Sequence, residues 1–138
     1  MTAQHAVSPQ TAHPARTSWP MRVLQAVVVL HVAALLFQAV TAGLLLSSPG
    51  GRALHETSGI ALAIIGLAHL VAAILVWRPG GGRAAFVPPA ALILVLTVVA
   101  AFLGMAGLKV LHLPLGVMLF GGGVMQLGRV MARRPAAA

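Results

Sequence analysis

The stretch Leu54-His55-Glu56-Thr57-Ser58-Gly59-Ile60-Ala61-Leu62-Ala63-Ile64-Ile65-Gly66-Leu67-Ala68-His69 reads as most of one membrane-spanning helix. It holds two histidines fourteen positions apart, with two glycines between them. At 3.6 residues per turn and 1.5 Å per residue, the histidines fall within about 40° of one another on the helix and ~21 Å apart along it. Gly59 and Gly66 lie on the same stripe. An apolar face with an imidazole near each end and no side chain at two points between offers a seat for one or two flat cofactors, and haem is the leading candidate.

Composition sets the class. Of 138 residues, 59% are hydrophobic and 7% charged, against about 25% charged in soluble domains; mean hydropathy is +0.99. A chain this short and apolar cannot cover itself with polar surface, so it is expected to be an integral membrane protein. It has no cysteine, which excludes disulfides, thiolate haem ligation and cysteine metal sites. Its only acidic residue is Glu56, which argues against paired-carboxylate catalysis, carboxylate-driven ion transport and Ca²⁺ or Mg²⁺ binding. The net charge of +8 comes from residues flanking apolar spans. They form no patch with stacking aromatics, so no nucleic-acid partner is expected.

Four spans follow in order. Residues 1–18 are polar and small, contain His5 and His13, and are expected to be a disordered cytoplasmic tail with idle, solvated histidines. The first apolar run is too long for a cleaved signal peptide, and Thr41-Ala42-Gly43 leads into more leucine rather than a mature polar domain. The four-helix transmembrane domain covers 19–132. Its spans are expected at about 20–46, 52–77, 85–108 and 110–130, each long enough for a ~30 Å hydrocarbon core. Pro20 suits a first helical turn and Trp19 the interface. Ser47-Ser48-Pro49-Gly50-Gly51 is a turn, and residues 78–83 form a basic, glycine-rich loop. Pro88-Pro89 opens the third span, which is wall rather than site, with only Thr97 polar. Residues 133–138 form a second cytoplasmic tail. With the N-terminus inside, Arg16, Arg22, Arg78, Arg83, Arg129, Arg133 and Arg134 are inside, and only Arg52 and Lys109 are outside. The positive-inside rule then gives an all-α, up-down-up-down bundle in the cell membrane, multi-pass, with both termini cytoplasmic.

The fourth span echoes the second. His55, Gly59, Gly66 and His69 are matched in spacing by His112, Gly116, Gly123 and Gln126. Duplication explains this, and so does the close helix packing that glycine permits in membranes. The topology also sorts the membrane histidines by depth. His55 and His112 each lie near the outer start of a helix. His31 and His69 differ in depth by only about 4–5 Å, at 1.5 Å per residue. The sequence therefore offers an outer pair, His55 with His112, and an inner pair, His31 with His69.

Two imidazoles facing each other across a bundle supply the axial ligands of six-coordinate haem iron, and each needs an acceptor for its second ring nitrogen. Ser58, Thr41 and Gln38 can take that role. Arg52 and Lys109 stand at the outer end to meet haem propionates, with Arg22, Arg78 and Arg129 at the inner end. Gly59, Gly66, Gly116 and Gly123 make room for the porphyrin. Against this stand two plainer readings: histidines as interhelical hydrogen-bond contacts, or His55 and His112 in the headgroup region. A Zn or Cu site is disfavoured, since two histidines without Cys or carboxylate make a poor metal cage. Pro114 fits the first turn of the fourth helix, or else leaves His112 in the loop before it.

At these residues the chain resembles small four-helix haem-binding membrane proteins. The spacing of His55 and His69 is similar to that in transmembrane dihaem b-type cytochromes, and the bundle to cytochrome b561-like proteins. His55 and His112, each at the outer start of its helix, are laid out like one half of a haem A synthase, and the stretch Leu103-Gly104 to Leu111-His112-Leu113 is similar to the turn before that family's fourth helix. In that family a Glu precedes the second-helix His and an Arg follows it; here Arg52 precedes and Glu56 follows.

The first expectation is a b-type cytochrome. It would hold one haem b at His55 and His112, with a second at His31 and His69 left open, and would carry electrons to a quinone or a membrane redox partner. The second is a half-size haem A synthase-like enzyme with Glu56 as catalytic acid/base. The third is a cofactor-free accessory subunit of a larger membrane complex. A homodimer is also left open.

Overall fold

The computed structural model describes residues 18–82 and 84–132. The expected tails, with His5, His13, Arg16, Arg133 and Arg134, lie outside the described residues, as does Arg83. Four α-helices fill almost everything described: α1 (Trp19–Ser47), α2 (Gly51–Trp77), α3 (Val87–Met105) and α4 (Lys109–Met131), with a single 3₁₀ turn at Ala84–Phe86 leading into α3. Every one of them is long and apolar enough to cross a bilayer. Their outward faces are apolar too, with Ile60, Ile64, Val117 and Met125 among the exposed residues. In water that surface would be untenable; in lipid it is the expected exterior. The protein is a multi-pass membrane protein.

The helix ends follow from local chemistry. Pro20 lies in the first turn of α1, and Pro88 and Pro89 in that of α3, where a missing N–H costs nothing. The tight turn between α1 and α2 uses Gly50 in the left-handed region (φ 86°). Gly51 follows, packed so closely on the Leu44 carbonyl that a Cβ there would overlap it. α3 stops at Met105, three residues short of the expected Leu108. Gly107 takes φ 73°, and the Leu108 N–H turns back to the Leu103 carbonyl at 2.9 Å, a glycine-terminated helix end. α4 begins at Lys109 and contains His112. Pro114 is accommodated inside it, leaving the Val110 carbonyl without its helical partner.

Each helix packs chiefly on two neighbours, α1 on α2 and α4, and α3 on α2 and α4. α2 and α4 therefore stand diagonally. The end carrying the 47–51 and 106–108 turns is called the turn end here, and the other the far end. The core is layered along its axis. Nearest the far end Leu24, Val28, Ala72, Ala73, Val76, Phe86, Ala90 and Val130 form one apolar cluster. Leu35, Leu62, Ile93, Ala100 and Leu119 form a second, nearer the turn end. Two polar layers alternate with these clusters, and they contain the membrane histidines.

Candidate functional site

The first polar layer lies between the apolar clusters. α1 brings in His31, between Val28 and Leu35 on its buried stripe; α2 brings in His69, between Leu62 and Ala72. Both are fully buried. Their Nδ1 atoms are 2.9 Å apart, and the rings meet edge to face with centroids 5.2 Å apart. A neutral imidazole has one N–H and one lone pair. One ring must therefore donate its Nδ1–H to the other's Nδ1. The donor keeps a lone pair at Nε2, and the acceptor keeps its proton there. Both Nε2 atoms are buried with no hydrogen-bond partner among the described residues. Gly66 lets the rings fit: a Cβ there would lie 3.5 Å from His31 Nε2 and 3.2 Å from the Leu94 side chain.

The second polar layer is at the turn end. His55 of α2 and His112 of α4 meet across the diagonal, with ring centroids 6.1 Å apart and planes at 80°. His112 Nδ1 is 2.7 Å from the Ala100 carbonyl oxygen of α3. A carbonyl only accepts, so Nδ1 carries the proton and Nε2 the lone pair. His55 is fixed by a longer chain of contacts. Thr41 Oγ1 lies 3.0 Å from the Gln38 carbonyl and 3.0 Å from His55 Nδ1, and its one proton serves one of the two. Ser58 donates to Gln38 Oε1 at 2.5 Å. Where the Thr41 proton goes to the carbonyl, His55 Nδ1–H donates to Thr41 Oγ1. The Gln38 amide nitrogen donates to the His55 carbonyl at 3.1 Å. It lies 3.2 and 3.3 Å from the two ring nitrogens, over the ring rather than along either lone pair. Both turn-end imidazoles thus have Nδ1 held by an oxygen, and at His112 this leaves an Nε2 lone pair to offer.

The other residues that the sequence singles out divide by position. Gln38, Thr41 and Ser58 do gather around His55. Arg52 and Lys109 are exposed at the same end; Arg52 Nε is 3.7 Å from the Glu56 carboxylate, so Glu56 is a surface residue paired one turn back along its own helix. The glycines make room for side chains. A Cβ at Gly59 would lie 3.3 Å from the Gln38 amide, and one at Gly123 would lie 2.8 Å from Leu35. Gly116 has open space there and is exposed. The α2 and α4 patterns correspond in three places: His55 meets His112, Gly66 and Gly123 are both buried, and His69 and Gln126 are both buried. Gln126 donates to the Phe86 carbonyl at 3.4 Å, while its Oε1 has no partner among the described residues. Sequence reasoning missed the Ala100 carbonyl and Gly104. A backbone acceptor leaves no trace in residue type, and Gly104 looks like any other membrane glycine.

The two layers differ in what they can hold. Metal–imidazole bonds are about 2.0–2.1 Å, so an ion bound by two imidazoles needs their nitrogens roughly 4 Å apart. At 2.9 Å the facing nitrogens of His31 and His69 leave no such space. The turn-end pair sets two imidazoles on diagonal helices with centroids 6.1 Å apart, each with Nδ1 supported by an oxygen. Among the described residues no group of three or more His, Cys, Asp or Glu assembles. The chain matches no protein-family model, no curated protein and no solved structure.

Proposed function

We propose that the chain is a b-type haem-binding membrane protein that carries single electrons, with His55 and His112 as the axial ligands of one haem b. The observation that carries this reading is the matched support of the two rings. Each has Nδ1 held by an oxygen, Thr41 Oγ1 at 3.0 Å or the Ala100 carbonyl at 2.7 Å, and with Nδ1 protonated each offers Nε2. Such support fixes ring orientation and raises ligand basicity.

Charge favours haem over a bare ion. The only carboxylate, Glu56, is exposed and engaged by Arg52, so a divalent cation among these helices would have no counter-charge. A porphyrin brings its own two negative charges. Arg52 and Lys109, at the same end, supply cations for its propionates. When bound, the group would supply a reversible one-electron iron couple, and two protein ligands leave no open coordination position for substrate chemistry. The chain's part is to hold two lone pairs, fix their tautomers and keep water from the rings. Leu35, Leu62, Ile93, Ala100 and Leu119 close the floor below. The second haem expected at His31 and His69 is left out of this reading, because those rings are bonded to each other.

The orientation that goes with this reading is up-down-up-down in the cell membrane, with both termini cytoplasmic. The support is the basic balance, seven residues against two. A reduced-minus-oxidised spectrum of detergent-purified protein, with the haem extracted and counted, tests the proposal. One low-spin haem b per chain is expected, lost in His55→Ala and in His112→Ala. A colourless protein expressed with ample haem would overturn it.

A further inference from the structure

Ala100 is an interior residue of α3, so its carbonyl should be occupied by the helical N–H of Gly104. A carbonyl oxygen has a second lone pair, but in a helix the side chain four residues on leans back over that turn and shields it. Position 104 is glycine. The ring of His112 occupies the place that side chain would take: a Cβ on Gly104 would lie 3.0 Å from His112 Cε1, 3.1 Å from Nδ1 and 3.6 Å from Nε2. The first two distances are tighter than most side-chain contacts, so a Cβ would push the ring back by a few tenths of an ångström, away from its 2.7 Å contact with the Ala100 oxygen. The bare turn of α3 lets the imidazole sit at that carbonyl without this displacement.

We propose that Gly104 is a positioning residue for His112. By uncovering the Ala100 carbonyl it fixes the proton on His112 Nδ1 and leaves the lone pair on Nε2. The tautomer follows from this chain alone; its use in holding haem rests on the function proposed above.

The test is ¹⁵N NMR of histidine ring nitrogens in the full-length protein, haem-free, in detergent. The His112 signals are assigned by their loss in His112→Gln. The wild type is expected to show His112 protonated at Nδ1 and bare at Nε2. Gly104→Ala is expected to lose that fixed state, giving mixed tautomers or protonation at Nε2, while Gly116→Ala, with open space around it, keeps it. An Nε2–H tautomer in the wild type overturns the proposal, and so does an unchanged His112 in a folded Gly104→Ala. Should Gly104→Ala not fold, the wild-type tautomer decides. Haem content is read separately. A fixed tautomer in a protein that never takes up haem would support the positioning role while sinking the haem reading. A haem-loaded protein whose tautomer ignores Gly104→Ala would do the reverse.

Discussion

His31 and His69 face each other Nδ1 to Nδ1 at 2.9 Å, fully buried between two apolar layers of the bundle. The contact links α1 to α2 at mid-bundle and uses one lone pair and one proton. Breaking it from one side strands the other ring. His69→Leu alone is expected to destabilise the protein by about 1–3 kcal/mol, the cost of a buried polar group left unpaired. The double variant His31→Leu/His69→Leu should recover part of that loss. Thermal unfolding of the four proteins of this cycle in one detergent checks it. Additive losses would show that the rings do not act as a pair.

The network at the turn end should be sensitive to loss of its hydroxyls. Thr41→Val removes the hydroxyl that contacts both the Gln38 carbonyl and His55 Nδ1. We expect a loss of about 1–3 kcal/mol, together with a His55 ring no longer held in one tautomer. Ser58→Ala should have a smaller effect of the same sign, since Gln38 keeps its bond to the His55 carbonyl. Unfolding midpoints and ring ¹⁵N shifts are the measurements.

Gly66 should tolerate a branched side chain poorly. A Cβ would already crowd Leu94 at 3.2 Å and touch the His31 ring at 3.5 Å, so the further methyls of Gly66→Val are expected to cost about 1–3 kcal/mol through overpacking. Gly116→Val, where the space is open, should be close to neutral. Equal effects at the two positions would refute the packing assigned to α2.

Glu56 tests whether surface charge matters to the site. Its carboxylate pairs with Arg52, and both side chains are largely exposed. Exposed pairs contribute at most about 1 kcal/mol, so Glu56→Gln should leave stability and haem content almost unchanged. Loss of haem in this variant would return Glu56 to the site.

Orientation can be read without background, because the chain has no cysteine. Ser48→Cys, in the turn between α1 and α2, should react with an impermeant maleimide in intact cells. Gly81→Cys, in the loop before α3, should react only after permeabilisation. The opposite pattern would invert the topology.

The helices are legible in the sequence because an apolar run of about twenty residues has one economical form in lipid. The meeting of His31 with His69, and of His55 with His112, is legible from the rise per residue, which places each pair at one depth. Ring orientation is not. Whether two imidazoles share a proton or both turn Nε2 inwards depends on which acceptors reach them. At His112 the acceptor is a backbone carbonyl of α3, a helix that reads as featureless wall. The end of α3 is hidden for a similar reason: Gly107 ends it by a left-handed turn, whereas hydropathy runs on to Leu108. The glycine stripes are legible as close approaches but not as to what approaches. At Gly59 and Gly123 it is a side chain of α1, and at Gly66 it is Leu94 of α3 together with His31 of α1.

The most direct test of the central claim is the redox difference spectrum, with haem stoichiometry, of four proteins purified side by side: wild type, His55→Ala, His112→Ala and His31→Phe/His69→Phe. The account predicts one haem b per chain in the wild type, none in either turn-end variant, and a wild-type spectrum in the double variant. Haem retained in both turn-end variants but lost with His31 and His69, or no haem in any of the four, would contradict it.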